Sequence, residues 1–437
     1  MISQSFHLQT IDHRRWTVRH RPSSIVHGPS SIVHRPSSIM SSLRRNSTWL
    51  LLARLTAQGL AVLFTVVIAR KLGVDGFGQF SFIASLLLVG NTFTNFGTDT
   101  FLIRETARAN RVNEIAAQSL ALQMFLSALY CLVMPAFRNT PLLVYSLALF
   151  PLAVFSVNNA LLRALNRMDL FWLLSLLNGA IQILAAIFSS DVFTLCLSLL
   201  FGQTLLSGIS YLICRASLPT FRLFPLGKFS SLFKLILPFA ALTILLVLTQ
   251  RLGVLTVSYL LGDSAAGLFS SVTRIVDGLK LGHYAILGAL LPALARGGAD
   301  SWRSFRKAFT LLMSVSFAFA FVLFVFAQPI VLILYGDEFT RAVQPLDWLG
   351  WSLLPYTISS FISYDLIARG LEAIVVKSVF VSLTIYFVLY LWLIPSQGLT
   401  GAVWAALFGE CFQGIVFGMF YFQTKPSFVS GSDYESK

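Results

Sequence analysis

Long apolar runs broken by short polar stretches set the pattern of this chain. A run of about 18 to 25 apolar residues matches the hydrocarbon thickness of a bilayer when wound as a helix. Such runs fall near residues 48–69, 78–98, 114–136, 141–162, 170–189 and 192–213. Six more fall near 232–260, 265–290, 307–334, 342–367, 373–394 and 400–423. The pattern predicts an all-α integral membrane protein of about 12 transmembrane helices joined by short loops.

Composition sharpens that class. The chain is 56% hydrophobic and 11% charged, with a mean hydropathy of +0.77, and its charges are bunched between the apolar runs where a soluble domain would disperse them. One set of connections, together with both ends, holds most of the Lys and Arg, among them Arg104, Arg108, Arg111, Arg296, Arg303 and Arg306. The opposite set holds only Arg70, Lys71, Arg138 and Arg341. This asymmetry predicts a multi-pass protein of a plasma membrane with both termini in the cytoplasm. The net charge of +14 then reads as topology and contact with anionic headgroups; no nucleic-acid partner is expected, because no basic stripe lies on a soluble domain.

Two segments repeat. Leu72, Gly73, Gly78, Phe80 and Ser81 recur as Leu261, Gly262, Gly267, Phe269 and Ser270 at a constant offset of 189 residues. Six spans separate the copies, so the halves share one orientation, and parallel repeats of this kind form two lobes with a substrate site between them. The expected division is an N-lobe over 44–214, a cytoplasmic connector over 215–231, a C-lobe over 232–424 and a tail over 425–437. Residues 1–43 are expected to form a separate, disordered extension, in which 21–41 repeat a Pro-Ser-Ile heptad and five of the six histidines recur at six or seven residues. This is low-complexity sequence without a signal-peptide core, and Met40 is the expected start of translation. No metal site is expected, and Cys131, Cys196, Cys214 and Cys411 read as apolar packing residues.

Charge inside the spans is the most informative chemistry. An ionised Arg or Lys at membrane depth costs at least ~2.5 to 3.5 kcal/mol, so such residues persist where they face a wet, functional interior. Arg54, Arg251, Arg274 and Lys280 are the four, and they predict a cationic cavity for an anionic cargo. Gln58, Asn95, Gln250 and Tyr284 are expected beside them, at helical spacing on the first two spans of each half. Asp277, Asp99 and Asp365 are candidates for coupling a proton or sodium ion, though Arg369 one turn on is an alternative partner for Asp365. Each cation has a structural alternative too: Arg54 snorkels to headgroups, carbonyls of neighbouring helices cap Arg251, and Asp277, three residues from both Arg274 and Lys280, neutralises one of them.

Residues 54–108 carry a resemblance. The order Arg54, Ala69-Arg70-Lys71-Leu72-Gly73, Phe77-Gly78-Gln79-Phe80, Phe96-Gly97-Thr98-Asp99 and Ile103-Arg104-Glu105-Thr106-Ala107-Arg108 resembles the opening of the polysaccharide transporter family, the Wzx-type O-antigen flippases. It continues in Tyr335-Gly336-Asp337-Glu338-Phe339 and Gly398-Leu399-Thr400-Gly401-Ala402. The resemblance implies a V-shaped bundle like that of the MATE exporters, two six-helix lobes opening alternately to each side. It implies as cargo an undecaprenyl-diphosphate-linked oligosaccharide, no cofactor, no catalytic residues, and the polysaccharide polymerase and chain-length machinery as neighbours in a bacterial or archaeal inner membrane. The competing readings are an ion-coupled multidrug exporter of the same superfamily, favoured by acidic cavity residues, and a membrane-embedded polymerase or glycosyltransferase, disfavoured by short outer loops.

Overall fold

The computed structural model describes residues 37–106, 112–217, 230–296 and 299–423. Residues 1–36 of the N-terminal extension, most of the expected connector and the expected C-terminal tail lie outside them. Met1–Arg44 and Arg45–Lys437 are distinct units, and the second carries the fold below.

The described residues are almost entirely helical, joined by short turns and without strands. In chain order the helices are α1 (Ser37–Asn95), α2 (Thr98–Thr106), α3 (Val112–Val133), α4 (Thr140–Ser146), α5 (Leu149–Ala164), α6 (Met168–Phe188) and α7 (Val192–Ser217). Then follow α8 (Ser230–Leu261), α9 (Asp263–Arg296), α10 (Ala299–Tyr335), α11 (Val343–Leu349), α12 (Leu353–Ala368) and α13 (Glu372–Gln423).

Two of these helices are hairpins. α1 breaks at Gly73 (φ 68°) and α13 at Gly398 (φ 60°), backbone angles that glycine alone adopts without a steric penalty. Across the first break Phe64 meets Phe80 with ring centroids 5.8 Å apart, and across the second Gly409 lies against the Tyr386 ring, so the arms run back along each other. Counting each arm, joining α4 to α5, and joining α11 to α12 through the turn at Gly350–Ser352, the path follows the twelve predicted spans. Eight helices among the described residues are long and apolar enough to cross a membrane as they stand.

Local chemistry sets the ends. Between α6 and α7 the Asp191 carboxylate accepts from the Thr194 N–H at 3.0 Å, capping α7. The Thr194 hydroxyl, and then that N–H, hold this carboxyl below the ordinary aspartate range. Lys71 caps the far end of α6, its Nζ donating to the carbonyls of Ala186 and Ile187.

The largest core runs through both halves of the chain, joining Phe77 and Phe80 to Phe269, Tyr335, Phe339 and Tyr390. A second lies within the first half, around Val157, Leu161, Leu174 and Leu206. Outside, large apolar side chains stand exposed along α10 at Phe317, Phe321 and Phe324, as a lipid-facing surface requires. Cys196 and Cys214 are buried and unpaired.

The two copies of the repeated motif meet. A Cβ added to Gly78 would collide with the Asp263 carbonyl and sit 2.7 Å from the Gly267 N; one added to Gly267 would collide with the Val74 carbonyl and sit 3.2 Å from the Gly78 N. The contact is reciprocal and backbone to backbone. Arg70 reinforces this end, donating from Nε to the Leu334 carbonyl at 3.0 Å and from Nη2 to the Ile333 carbonyl, the last turn of α10.

Candidate functional site

A cavity of about 600 Å³ opens between the first arm of α1 and helices α8, α9, α10, α12 and α13. Gln58, Ala61 and Thr65 reach it from α1, in the stripe that their spacing predicts. α8 supplies Gln250 and Arg251, and α9 supplies Arg274, Asp277 and Lys280. Tyr356 comes from α12, while α13 supplies Tyr386 and Tyr390 from one arm and Glu410 and Gln413 from the other.

The three cations have different company. Arg274 donates to the Thr65 hydroxyl at 3.0 Å, and its guanidinium stands 5.6 Å from the centre of the Phe77 ring. Arg251 is near enough for the two like charges to oppose each other, and its buried Nε has no hydrogen-bond partner among the described residues. No carboxylate among the described residues lies within salt-bridge distance of either arginine, although Asp277, three residues along α9, is near enough to attract Arg274. Lys280, by contrast, lies 2.8 Å from a Glu410 oxygen, 3.8 Å from Asp277 and 4.6 Å from the centre of the Tyr356 ring. Three cations against two carboxylates leave the wall one unit positive. Two guanidiniums with spare donors, set beside a lysine, match an anion with several oxygens.

Below this wall His283 is buried, its Nε2 meeting the Thr357 hydroxyl at 2.8 Å and the Ser316 hydroxyl at 3.0 Å. This knot ties α9 to α12 and α10 beside Tyr356, fixing the helix that carries Arg274 and Lys280.

Other residues singled out from the sequence lie elsewhere. Arg54 is exposed and is not among the residues that line the cavity, although it shares the stripe of Gln58. The second arm of α1, expected on the same wall, contributes no lining residue: Ser81 and Ser85 are buried in the core, and Asn95 donates to the Ser156 hydroxyl at 2.8 Å. Asp99 accepts from that hydroxyl at 2.6 Å and pairs with Arg163 at 3.1 Å, binding α2 to α5. Asp365 pairs with Arg369, one turn along, which also donates to the Tyr421 hydroxyl at 2.8 Å. The side chain of Tyr284 lies outside the described residues.

Glu410 was absent from the sequence reading. Its signal is present in the sequence, a lone acid within an apolar span, but nothing in the spacing of that span points to Lys280 as its partner. Tyr386 and Tyr390, four residues apart on one helical face, were equally legible as a polar-tipped aromatic pair.

Comparison with curated proteins gives no match. Among solved structures, the fold is similar to the inward-facing conformation of a multidrug resistance MATE family transporter of the MOP superfamily, at a TM-score of 0.69 and 14% identity over 85% of this chain and 97% of that one. It is similar to the inward closed conformation of the lipid II flippase MurJ, at 0.70 and 15% over 86% and 88%. An outward-facing MATE family transporter aligns at 0.60 and 18% over 86% and 95%. At these identities the likeness concerns the fold, an all-helical membrane bundle of the MATE and MurJ type. Residues 43–297, more than half of the sequence, match the family model described as polysaccharide biosynthesis protein, and the chain belongs to that family.

Proposed function

We propose that this protein is a flippase, carrying an undecaprenyl-diphosphate-linked oligosaccharide from the cytoplasmic to the periplasmic leaflet of the inner membrane. The observation that carries the reading is Arg251 and Arg274, two arginines in a membrane-embedded cavity with no carboxylate at salt-bridge distance among the described residues. A diphosphate supplies what they lack, several anionic oxygens that accept bidentate hydrogen bonds. The family and the fold support the same reading. In this scheme the lobes 44–214 and 232–424 rock about the cavity, the glycine contact closes the periplasmic side, and polymerase and chain-length machinery take the product.

One observation favours a second reading. Asp277 and Glu410 place acid in the cavity, as an exporter of cationic drugs requires. Lys280 already neutralises Glu410 and the wall keeps a net positive charge, so the anionic cargo fits better. The test is reconstitution in vesicles with a fluorescent lipid-diphosphate oligosaccharide. Translocation is the expected result, with a proton or sodium gradient altering its rate; transport of a cationic dye without movement of that lipid would reverse the assignment.

A further inference from the structure

Resting on the reading of the cavity as a diphosphate site, we propose that Glu410 is a built-in competitor of the cargo: it occupies Lys280 while the cavity is empty, yields it to the arriving diphosphate, and takes it back as the cargo leaves, which keeps the cargo from binding too tightly.

The geometry sets Lys280 apart from the other two cations. Arg251 and Arg274 stand ready for an anion, whereas Lys280 is engaged at 2.8 Å by a carboxylate from the second arm of α13, 130 residues away in sequence. Both partners line the cavity, with the Lys280 and Glu410 side chains 15% and 12% exposed, so the pair lies in the wall where a cargo makes contact. Asp277 is the weaker partner, at 3.8 Å and 40% exposed, and on α9 it stands between Arg274 and Lys280.

A carboxylate brings one negative charge and two acceptor oxygens, and a diphosphate brings more of both. With Arg251 and Arg274 beside it, the diphosphate gains at all three cations what Glu410 gains at one, so displacement runs toward the cargo on entry. The empty protein meanwhile avoids leaving a largely buried lysine to the looser Asp277 contact, whose compensation for its desolvation is weaker. The competition lowers the net affinity for the cargo throughout, so that when the cargo leaves on the exit side the carboxylate takes back the lysine and the bound state is no deep trap. A transporter gains from that opposition: three unopposed cations would bind a diphosphate tightly and let it go slowly.

The proposal separates affinity from turnover. Inorganic pyrophosphate binding to the purified protein in detergent is measured calorimetrically, alongside vesicle translocation of the lipid-linked cargo. Glu410→Gln is expected to bind pyrophosphate roughly 10-fold more tightly, as loss of one charge-assisted competitor implies. The same variant is expected to translocate severalfold more slowly. In a Lys280→Ala background the gain should vanish, so that K280A and K280A/E410Q bind alike. Glu410→Ala removes the same carboxylate with different packing and should shift binding in the same direction, so a folding defect in one variant leaves the other to decide. Unchanged or weaker pyrophosphate binding by the folded Glu410 variants, against a wild type that binds, makes the pair purely structural and overturns the proposal. Failure of every variant and of the wild type to bind pyrophosphate removes the diphosphate reading of the cavity itself.

Discussion

At the seam, Gly78 and Gly267 bring two helices together backbone to backbone, with no room for a Cβ on either side. Two turns further along α9, at Arg274, the same helix lines a cavity of about 600 Å³ whose wall is polar, charged and wide enough for water. One region is specified by what is missing from its side chains, the other by what its side chains carry. The seam should therefore be intolerant of volume and indifferent to charge, and the cavity intolerant of lost charge but forgiving of shape. Both behaviours reside in α9, so movement at one is transmitted along a rigid rod to the other.

The sharpest way to break this contrast is to add a methyl group at the seam. Gly78→Ala combined with Gly267→Ala forces two backbones apart at a site with no flexible neighbour to yield, a cost of about 1 to 3 kcal/mol or more per position. Surface glycan, read at equal membrane abundance, should fall by ~100-fold or more, and a cysteine at Asp263 should label faster with an impermeant thiol reagent. Normal export by the double variant would show that the glycine contact is incidental packing.

In the cavity, charge is the variable to change. Arg274→Ala, which leaves Thr65 without its donor and removes one cation, should reduce export by ~10- to 100-fold, as loss of a hydrogen bond to a charged group implies. Arg274→Lys should fall between the two, since the charge survives and the planar fork does not. Equal activity of the Ala and Lys variants would make the site one of volume, like the seam.

The smallest expected effect separates the cavity from its surroundings. Arg54 shares the stripe of Gln58 and Thr65 yet stands exposed outside the lining, so Arg54→Ala should leave export within about 2-fold of wild type. A loss as deep as that of Arg274→Ala would extend the cationic site a full turn along α1.

These contrasts also show what was readable in advance. The spans were legible because bilayer thickness fixes helix length, and even the hairpin of α13 was foreshadowed by Gly398 between two apolar runs. The stripe Gln58-Ala61-Thr65 and the trio Arg274-Asp277-Lys280 follow from helical spacing alone. Partners across helices did not follow, because spacing within one helix says nothing about its neighbours: Asp99 found Arg163 and Ser156, 64 and 57 residues away, and so became part of a joint between α2 and α5. Arg54 and Arg274 are likewise equivalent as charges within apolar runs. Only the packing of α8 and α9 against α1 distinguishes the one on the cavity wall from the one outside it.

The reciprocal seam bears finally on biogenesis. Gly78 leaves the ribosome 189 residues ahead of Gly267, with six spans to be inserted between them. During that interval the first half of the chain sits in the bilayer presenting a glycine groove with nothing to fill it, and the groove is satisfied only when α9 arrives. Closure of the seam is thus a late assembly event. A chain truncated before residue 263 should remain exposed at that groove, available to quality-control proteases that a finished molecule no longer engages.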